Sequence, residues 1–299
     1  MGDDPQIPNL FIIGAPKCGT TSLRHYLDQH PEIYMCPVKE PHYFNTDSGH
    51  RYYFDEKSYL KLFRKAPKEA RYLGEASVWY LYSEKAISEI LRFNPGARFL
   101  VLLRDPVSMF FSLHRQLLFG GAEDQRSPVR AWRLQEDRSG GTGIPKGNTD
   151  PSLLQYGAVC KLGAQLERVQ NSVPDNQLKW IFLEDMKGDA DAVYREVLAF
   201  LGVSDYSLNS YEILNEAGQR RSPLLFSVVR AINIAKRKLG IRWGIGASNA
   251  INRSNITDEL DDISEEIATL TPELLAYFEK DIVTLEGCTG RNLSHWLQL

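Results

Sequence analysis

The chain has 299 residues, 43% hydrophobic and 24% charged, with a formal net charge of -3 and a pI near 6.1. That length and apolar share suffice for a large core and exclude a disordered or fibrous chain, although length alone allows two domains. The near-neutral balance excludes an overall basic field for nucleic acid or a heparin-like polymer and leaves only a local basic cleft. Cys18, Cys36, Cys160 and Cys288 stand far apart and form neither a metal-type pair nor a disulfide framework. Met1-Gly-Asp-Asp-Pro5 lacks the basic and apolar regions of a signal peptide, and no stretch approaches membrane-spanning length. The expectation is a cytoplasmic protein, monomer or homodimer, with no nucleic-acid partner and no membrane span.

In chain order, Leu10 to Ile13 is short, apolar and partly β-branched, the pattern of a buried strand. Gly14-Ala-Pro-Lys-Cys-Gly-Thr-Thr-Ser22 follows. Leu23, Tyr26 and Leu27 then recur at i, i+3, i+4 within a helix predicted from Thr21 to His30. A strand-to-helix turn leaves the first helical N–H groups without backbone partners at the positive end of the dipole, a site for phosphate oxygens. Gly14 and Gly19 allow close backbone approach, and Thr20, Thr21 and Ser22 add hydroxyls. A nucleoside-triphosphate loop places its lysine directly after the second glycine. Here Thr20 and Thr21 follow Gly19, and the lysine sits inside the loop at Lys17, where it meets a different atom of the ligand. The plainer alternative is a polar turn with a solvated lysine.

Next come a short strand, Ile33 to Cys36, and the segment Pro37-Val-Lys-Glu-Pro-His-Tyr-Phe44. A strand at Tyr72 to Glu75, a helix at Glu84 to Phe93 and a strand at Phe99 to Leu103 follow. Arg104 closes that strand, Asp105 suits an N-cap and Pro106 a first helical residue, opening a helix from Val107 to Leu118. Ser108 and Ser112 lie one turn apart on it. Arg104 stands at a strand's carboxyl end, where open α/β sheets bind ligands, and its planar guanidinium suits a phosphate. The alternatives are a capping ion pair for Arg104 and a helix contact for Ser112. A helix at Leu153 to Gln170, a strand at Lys179 to Leu183 and a helix at Ala190 to Leu201 complete an alternation that predicts a parallel sheet with helices on both faces.

The pair of motifs carries a resemblance. Pro16-Lys17-Cys18-Gly19-Thr20-Thr21-Ser22 resembles the 5′-phosphosulfate loop of sulfotransferases that use 3′-phosphoadenosine 5′-phosphosulfate (PAPS), and Arg104 with Ser112 is similar to that family's 3′-phosphate site. Asn215-Glu-Ala-Gly-Gln-Arg-Arg-Ser222 resembles the late loop that folds over the nucleotide, with Arg221 the better match and Arg220 in reserve. The resemblance runs from about Asn9 through the tail Thr289 to Trp296 and implies a single sulfotransferase domain over residues 1–299 with a P-loop-like parallel sheet. It also implies PAPS as donor, adenosine 3′,5′-bisphosphate as product and Lys17 beside the bridging oxygen of the leaving phosphate. The family's Golgi members carry an N-terminal anchor that is not seen here, which points to a bacterial-type enzyme. No metal is expected, because no magnesium-holding carboxylate pair accompanies the loop.

Glu40 to Phe44 resembles the heparan-type sulfotransferases, which implies Glu40 as catalytic base with a pKa raised by burial. His42 and Glu75 stand behind it. The plainer alternatives are an ion pair of Glu40 with Lys39 or Lys17, a structural His42, and a buried Glu75 supporting the loop. Heparan-type enzymes carry a lysine after the later strand's glutamate. Ala76 and Ser77 follow Glu75 here, which counts against a polysaccharide acceptor. Residues 120–150 and 240–255, the latter with Trp243, read as loops or lids over an acceptor pocket, with disorder the alternative for the first. Tyr156 and Gly157 are candidates for the acceptor side. The expected activity is sulfuryl transfer to a hydroxyl or amine of a small-molecule or carbohydrate acceptor. The rivals are a P-loop kinase and a non-catalytic adenosine 3′,5′-bisphosphate-binding protein.

Overall fold

The computed structural model describes residues 6–146, 148–212, 214, 219–220, 256–257 and 263–298. Five strands, β1 (Leu10–Gly14), β2 (Ile33–Met35), β3 (Tyr72–Ala76), β4 (Arg98–Leu103) and β5 (Leu178–Phe182), form one sheet in the order β2-β3-β1-β4-β5. Every neighbouring pair is parallel. β1 and β3 are buried at each residue, so both sheet faces are covered, as a parallel sheet requires. β1 leads toward β2 and β4 toward β5, so the connections diverge between two adjacent strands. Crevices outside the carboxyl ends of such a pair are where open α/β sheets bind ligands.

The helices are α1 (Thr20–Leu27), α2 (Glu56–Leu60), α3 (Ala86–Phe93), α4 (Pro106–Gly120), α5 (Pro128–Arg133), α6 (Gln135–Ser139), α7 (Tyr156–Cys160), α8 (Leu162–Gln170), α9 (Leu183–Gly188), α10 (Ala190–Leu201) and α11 (Ser264–Thr289). α1 packs against the sheet and α10, while α11 lies along α8 and meets α4. β6 (Gln219–Arg220) pairs antiparallel with β7 (Ile256–Thr257) as a separate ribbon. Arg221 and residues 240–255 lie outside the described residues. Among the described residues, no helix is long and apolar enough to cross a membrane.

Two expectations are corrected. The helix expected from Leu153 to Gln170 is three pieces, a 3-10 turn at Pro151–Leu154, α7 and α8, with Gln155 and Lys161 outside helical angles between them. The cause is distant in sequence: the Asp281 carboxylate on α11 accepts the N–H groups of Gly163 and Ala164, both at 2.9 Å, and caps α8 from outside. The stretch 120–150 is likewise not a bare loop. Ser127 caps α5 by accepting the Arg130 N–H, and the Trp132 indole donates to Glu273 at 2.9 Å. Arg138 donates twice to the Glu123 carboxylate, each bond 2.7 Å, with both side chains fully buried, and the Tyr156 hydroxyl adds a third at 2.7 Å. Tyr156 is thus a packing residue rather than a contact for an acceptor. Glu123→Ala, which strands the guanidinium without a counter-charge, is expected to cost about 3–5 kcal/mol in urea denaturation. A loss near that of an exposed pair would contradict this account.

Candidate active site

The loop after β1 turns because Gly19 caps α1 at φ 88, a left-handed angle. A Cβ there would also lie 2.4 Å from Met186 Cε. At Gly14 a Cβ would lie 2.6 Å from Leu81 Cβ, so this glycine admits the β3–α3 connection rather than a ligand. The Arg104 guanidinium, at the end of β4, donates to the Lys17 carbonyl at 3.1 Å and ties the two motifs across the diverging strands. The Asp105 carboxylate caps α4 by accepting from Val107 at 3.1 Å and Ser108 at 2.9 Å, so Arg104 is not spent on capping.

Lys17, Thr20, Thr21 and Ser22 line one cleft with Arg104 and Ser112 from the second motif and Lys39 and Glu40 from the third. The residues that the sequence separates into three motifs therefore share a single site. Burial, then the charges of Arg104, Lys39 and Arg115, hold the Lys17 ammonium below the ordinary lysine pKa. A cluster of cations beside a helix N-terminus calls for a multiply charged anion. The donor set therefore fits a nucleotide with two separate phosphate groups.

Some predicted residues stand elsewhere. The Cys18 thiol is buried, donates to Pro16 O at 3.4 Å, and is pushed up to about 12 by burial, so it is an inert neutral filler. The Ser22 hydroxyl accepts the Leu214 N–H at 3.0 Å, and the Tyr26 hydroxyl donates to Glu212 O at 2.9 Å. These bonds bring Glu212 and Leu214, just before the expected late loop, against α1. Of that loop, Arg220 is described only as backbone in β6.

Glu40 and His42 follow β2 on a strained stretch. Among the described residues, the non-glycine positions with positive φ are Lys17 at 65°, Glu40 at 60° and His42 at 49°. Each left-handed L-residue costs about 1–2 kcal/mol, and neighbouring bonds hold these in place. The Glu40 N–H donates to Ala76 O at 2.9 Å. The His42 N–H donates to Ser77 Oγ at 3.1 Å. The Tyr80 hydroxyl accepts from Tyr43 and Phe44 at 2.9 and 3.2 Å. Ser77 and Tyr80 both donate in turn to Glu75, at 2.6 and 3.0 Å, as does Tyr59 at 2.7 Å. Glu75 is fully buried and does not line the cleft, so it is a support for the loop rather than a proton acceptor.

Glu40 titrates opposite to expectation, and Glu75 takes the raised value instead. The Lys39 ammonium lies 2.6 Å from Glu40 Oε1 and the His42 Nε2 lies 3.2 Å from Oε2. Burial alone would raise Glu40, but the bonds and charges of His42 and Lys39 outweigh it and hold the carboxyl at about 2. Glu75 has hydroxyl partners but no cation, and burial raises it to about 7. With its folded value above the ordinary 4.5, the native state keeps a proton that the unfolded chain has lost. Its contribution to stability therefore falls as pH rises between those values, by about 3 kcal/mol at about 1.4 kcal/mol per unit. Glu75→Gln is expected to remove that loss, read by denaturation at mildly acidic and mildly alkaline pH. A variant that keeps the wild-type slope would contradict it.

Lys39 was visible in sequence only as an ion-pair partner. Gln116 and Lys187 also line the cleft. Gln116 lies one helical turn beyond Ser112, a spacing that marks it, whereas nothing local marks Lys187 on α9.

The sheet, the loop and the cleft define a P-loop-like α/β protein with a cation-lined cleft. No protein-family model matches the chain. It is similar to a sulfotransferase from Alicyclobacillus acidocaldarius, at 29% identity and a TM-score of 0.69 over 97% of this chain and 99% of that one. It is 30% identical over 148 residues to human carbohydrate sulfotransferase 15, covering 36% of this chain and 26% of the relative. It is 24% identical over 211 residues to mouse heparan sulfate glucosamine 3-O-sulfotransferase 3A1, covering 71% and 50%. The chain thus spans about a quarter to a half of the length of these curated relatives. These similar proteins are sulfotransferases, and the chain shares their fold.

Proposed function

We propose that the chain is a PAPS-dependent sulfotransferase acting on a hydroxyl or amine, with Lys17 and Glu40 as its catalytic residues. The observation that carries this reading is one cleft holding the lysine inside the phosphate loop, the Arg104–Ser112 pair and a carboxylate. When bound, PAPS supplies a sulfuryl group on an anionic phosphate. Thr20, Thr21 and the first N–H groups of α1 bind the 5′ end, and Arg104 and Ser112 bind the 3′-phosphate. Lys17 neutralises the charge that develops on the leaving phosphate. Glu40 accepts the acceptor's proton, and His42, fully buried behind it, orients the carboxylate through the 3.2 Å contact.

The Lys39 ion pair keeps Glu40 ionised but weakly basic. The acceptor is a small molecule or a carbohydrate. The carbohydrate and heparan sulfate relatives support a sugar, while Ala76 after Glu75 favours something smaller than a polymer. We place the enzyme in the cytoplasm, bacterial in type, as a monomer or homodimer. The 120–150 segment meets the loop after Phe44 through Asp150, whose carboxylate accepts from Ser48 and from the His50 N–H.

Transfer of labelled sulfate from PAPS to a broad acceptor panel tests the activity. Transfer that needs no added magnesium supports it. Phosphoryl transfer from ATP would instead indicate a kinase, and tight adenosine 3′,5′-bisphosphate binding with no transfer would indicate a binding protein.

A further inference from the structure

Glu40, His42 and His50 each offer a ligand atom, and these atoms lie within 4.8 Å of one another. The Glu40 Oε2 to His42 Nε2 separation of 3.2 Å is close to the about 3.3 Å that two tetrahedral ligands at ~2.0 Å impose. The His42 and His50 rings approach edge to face with centroids 4.9 Å apart. His42 is fully buried, so its Nε2 is held facing the Glu40 carboxylate. The backbone N–H of His50 is anchored to Ser48 and Asp150, and its Nε2 meets the Tyr52 hydroxyl at 3.1 Å, so the ring is oriented from outside the cluster.

We propose that Glu40, His42 and His50 form a binding site for one divalent late transition-metal ion, of the zinc or cobalt class, filled in competition with the acceptor. Two imidazoles and a carboxylate select such ions over magnesium or calcium, which prefer all-oxygen shells. A shift of His50 by about 1.5 Å, in a loop whose residues 46, 47 and 49 are exposed, brings the third ligand to tetrahedral spacing. Lys39 occupies Oε1, so the ion takes Oε2 and leaves that pair standing. The fourth position takes water. The competition rests on the reading of Glu40 as base: with its carboxylate bound to metal it no longer accepts a proton, and the ion inhibits transfer.

The test titrates Co²⁺ into metal-free protein and follows visible absorption, with Zn²⁺ calorimetry alongside, for the wild type, Glu40→Gln and His50→Ala. One equivalent with a tetrahedral spectrum is expected, weakened about 10-fold or more in both variants. Under PAPS turnover, Zn²⁺ is expected to inhibit the wild type, whereas His50→Ala transfers at the wild-type rate and resists inhibition. Cobalt binding that is absent, or that persists unchanged in both variants, overturns the site. Stoichiometric metal without inhibition upholds the site and overturns the assignment of Glu40 as base.

Discussion

Glu40→Gln is expected to lower sulfate transfer by about 10²–10⁴-fold, the range for loss of a positioned general base. Affinity for adenosine 3′,5′-bisphosphate is expected to stay unchanged, because the proposed role of Glu40 is toward the acceptor and not the phosphates. The amide keeps the shape and the contact with His42 but accepts no proton. Radiolabelled transfer gives the rate and calorimetry gives the affinity. Because Lys39 and His42 hold the carboxyl at about 2, Glu40 contributes no loss of activity on acidification until far below neutral pH. Near-normal transfer in the variant would move proton acceptance to another group. His42, the nearest candidate, is fully buried.

Lys17→Ala is expected to lower turnover by about 10²–10³-fold, as for removal of one preorganised donor to developing charge. Binding of the product nucleotide should weaken far less, since Arg104, Ser112 and the α1 terminus remain. Single-turnover rates against product affinities separate the two effects. Equal losses in both would mean that Lys17 binds the anion without favouring the transition state.

The positions of β1, β3, β4 and α10 were legible in the chain because short apolar runs and helical spacing are local signals. So were Lys17, Arg104 and Ser112, whose motifs each sit at a strand end. What the sequence hid is what depends on distant partners. The break between α7 and α8 comes from Asp281, more than a hundred residues downstream. The order within 120–150 comes from a buried ion pair, Arg138 with Glu123, that reads as surface polarity in one dimension. The same limit governs the carboxylates. Aromatic neighbours around Glu40 implied a raised pKa, yet Lys39 and His42 close on it and lower it, while Glu75, without a cation, takes the raised value. Glu75 holds Ser77 and Tyr80, which fix the backbone at His42, Tyr43 and Phe44. Its role emerges only once β3 lies beside the loop.

The central claim is that the Lys17 loop and the Arg104–Ser112 pair each hold one phosphate of the same nucleotide. Calorimetric titration with adenosine 3′,5′-bisphosphate, adenosine 5′-monophosphate and ATP, with and without magnesium, tests it most directly. The account predicts metal-independent binding of the bisphosphate, about 10–100-fold tighter than the monophosphate, the worth of charge-assisted bonds to the second phosphate. Arg104→Ala should bring the two affinities together. Equal wild-type affinities for the bisphosphate and the monophosphate, or binding of ATP alone in the presence of magnesium, would contradict it.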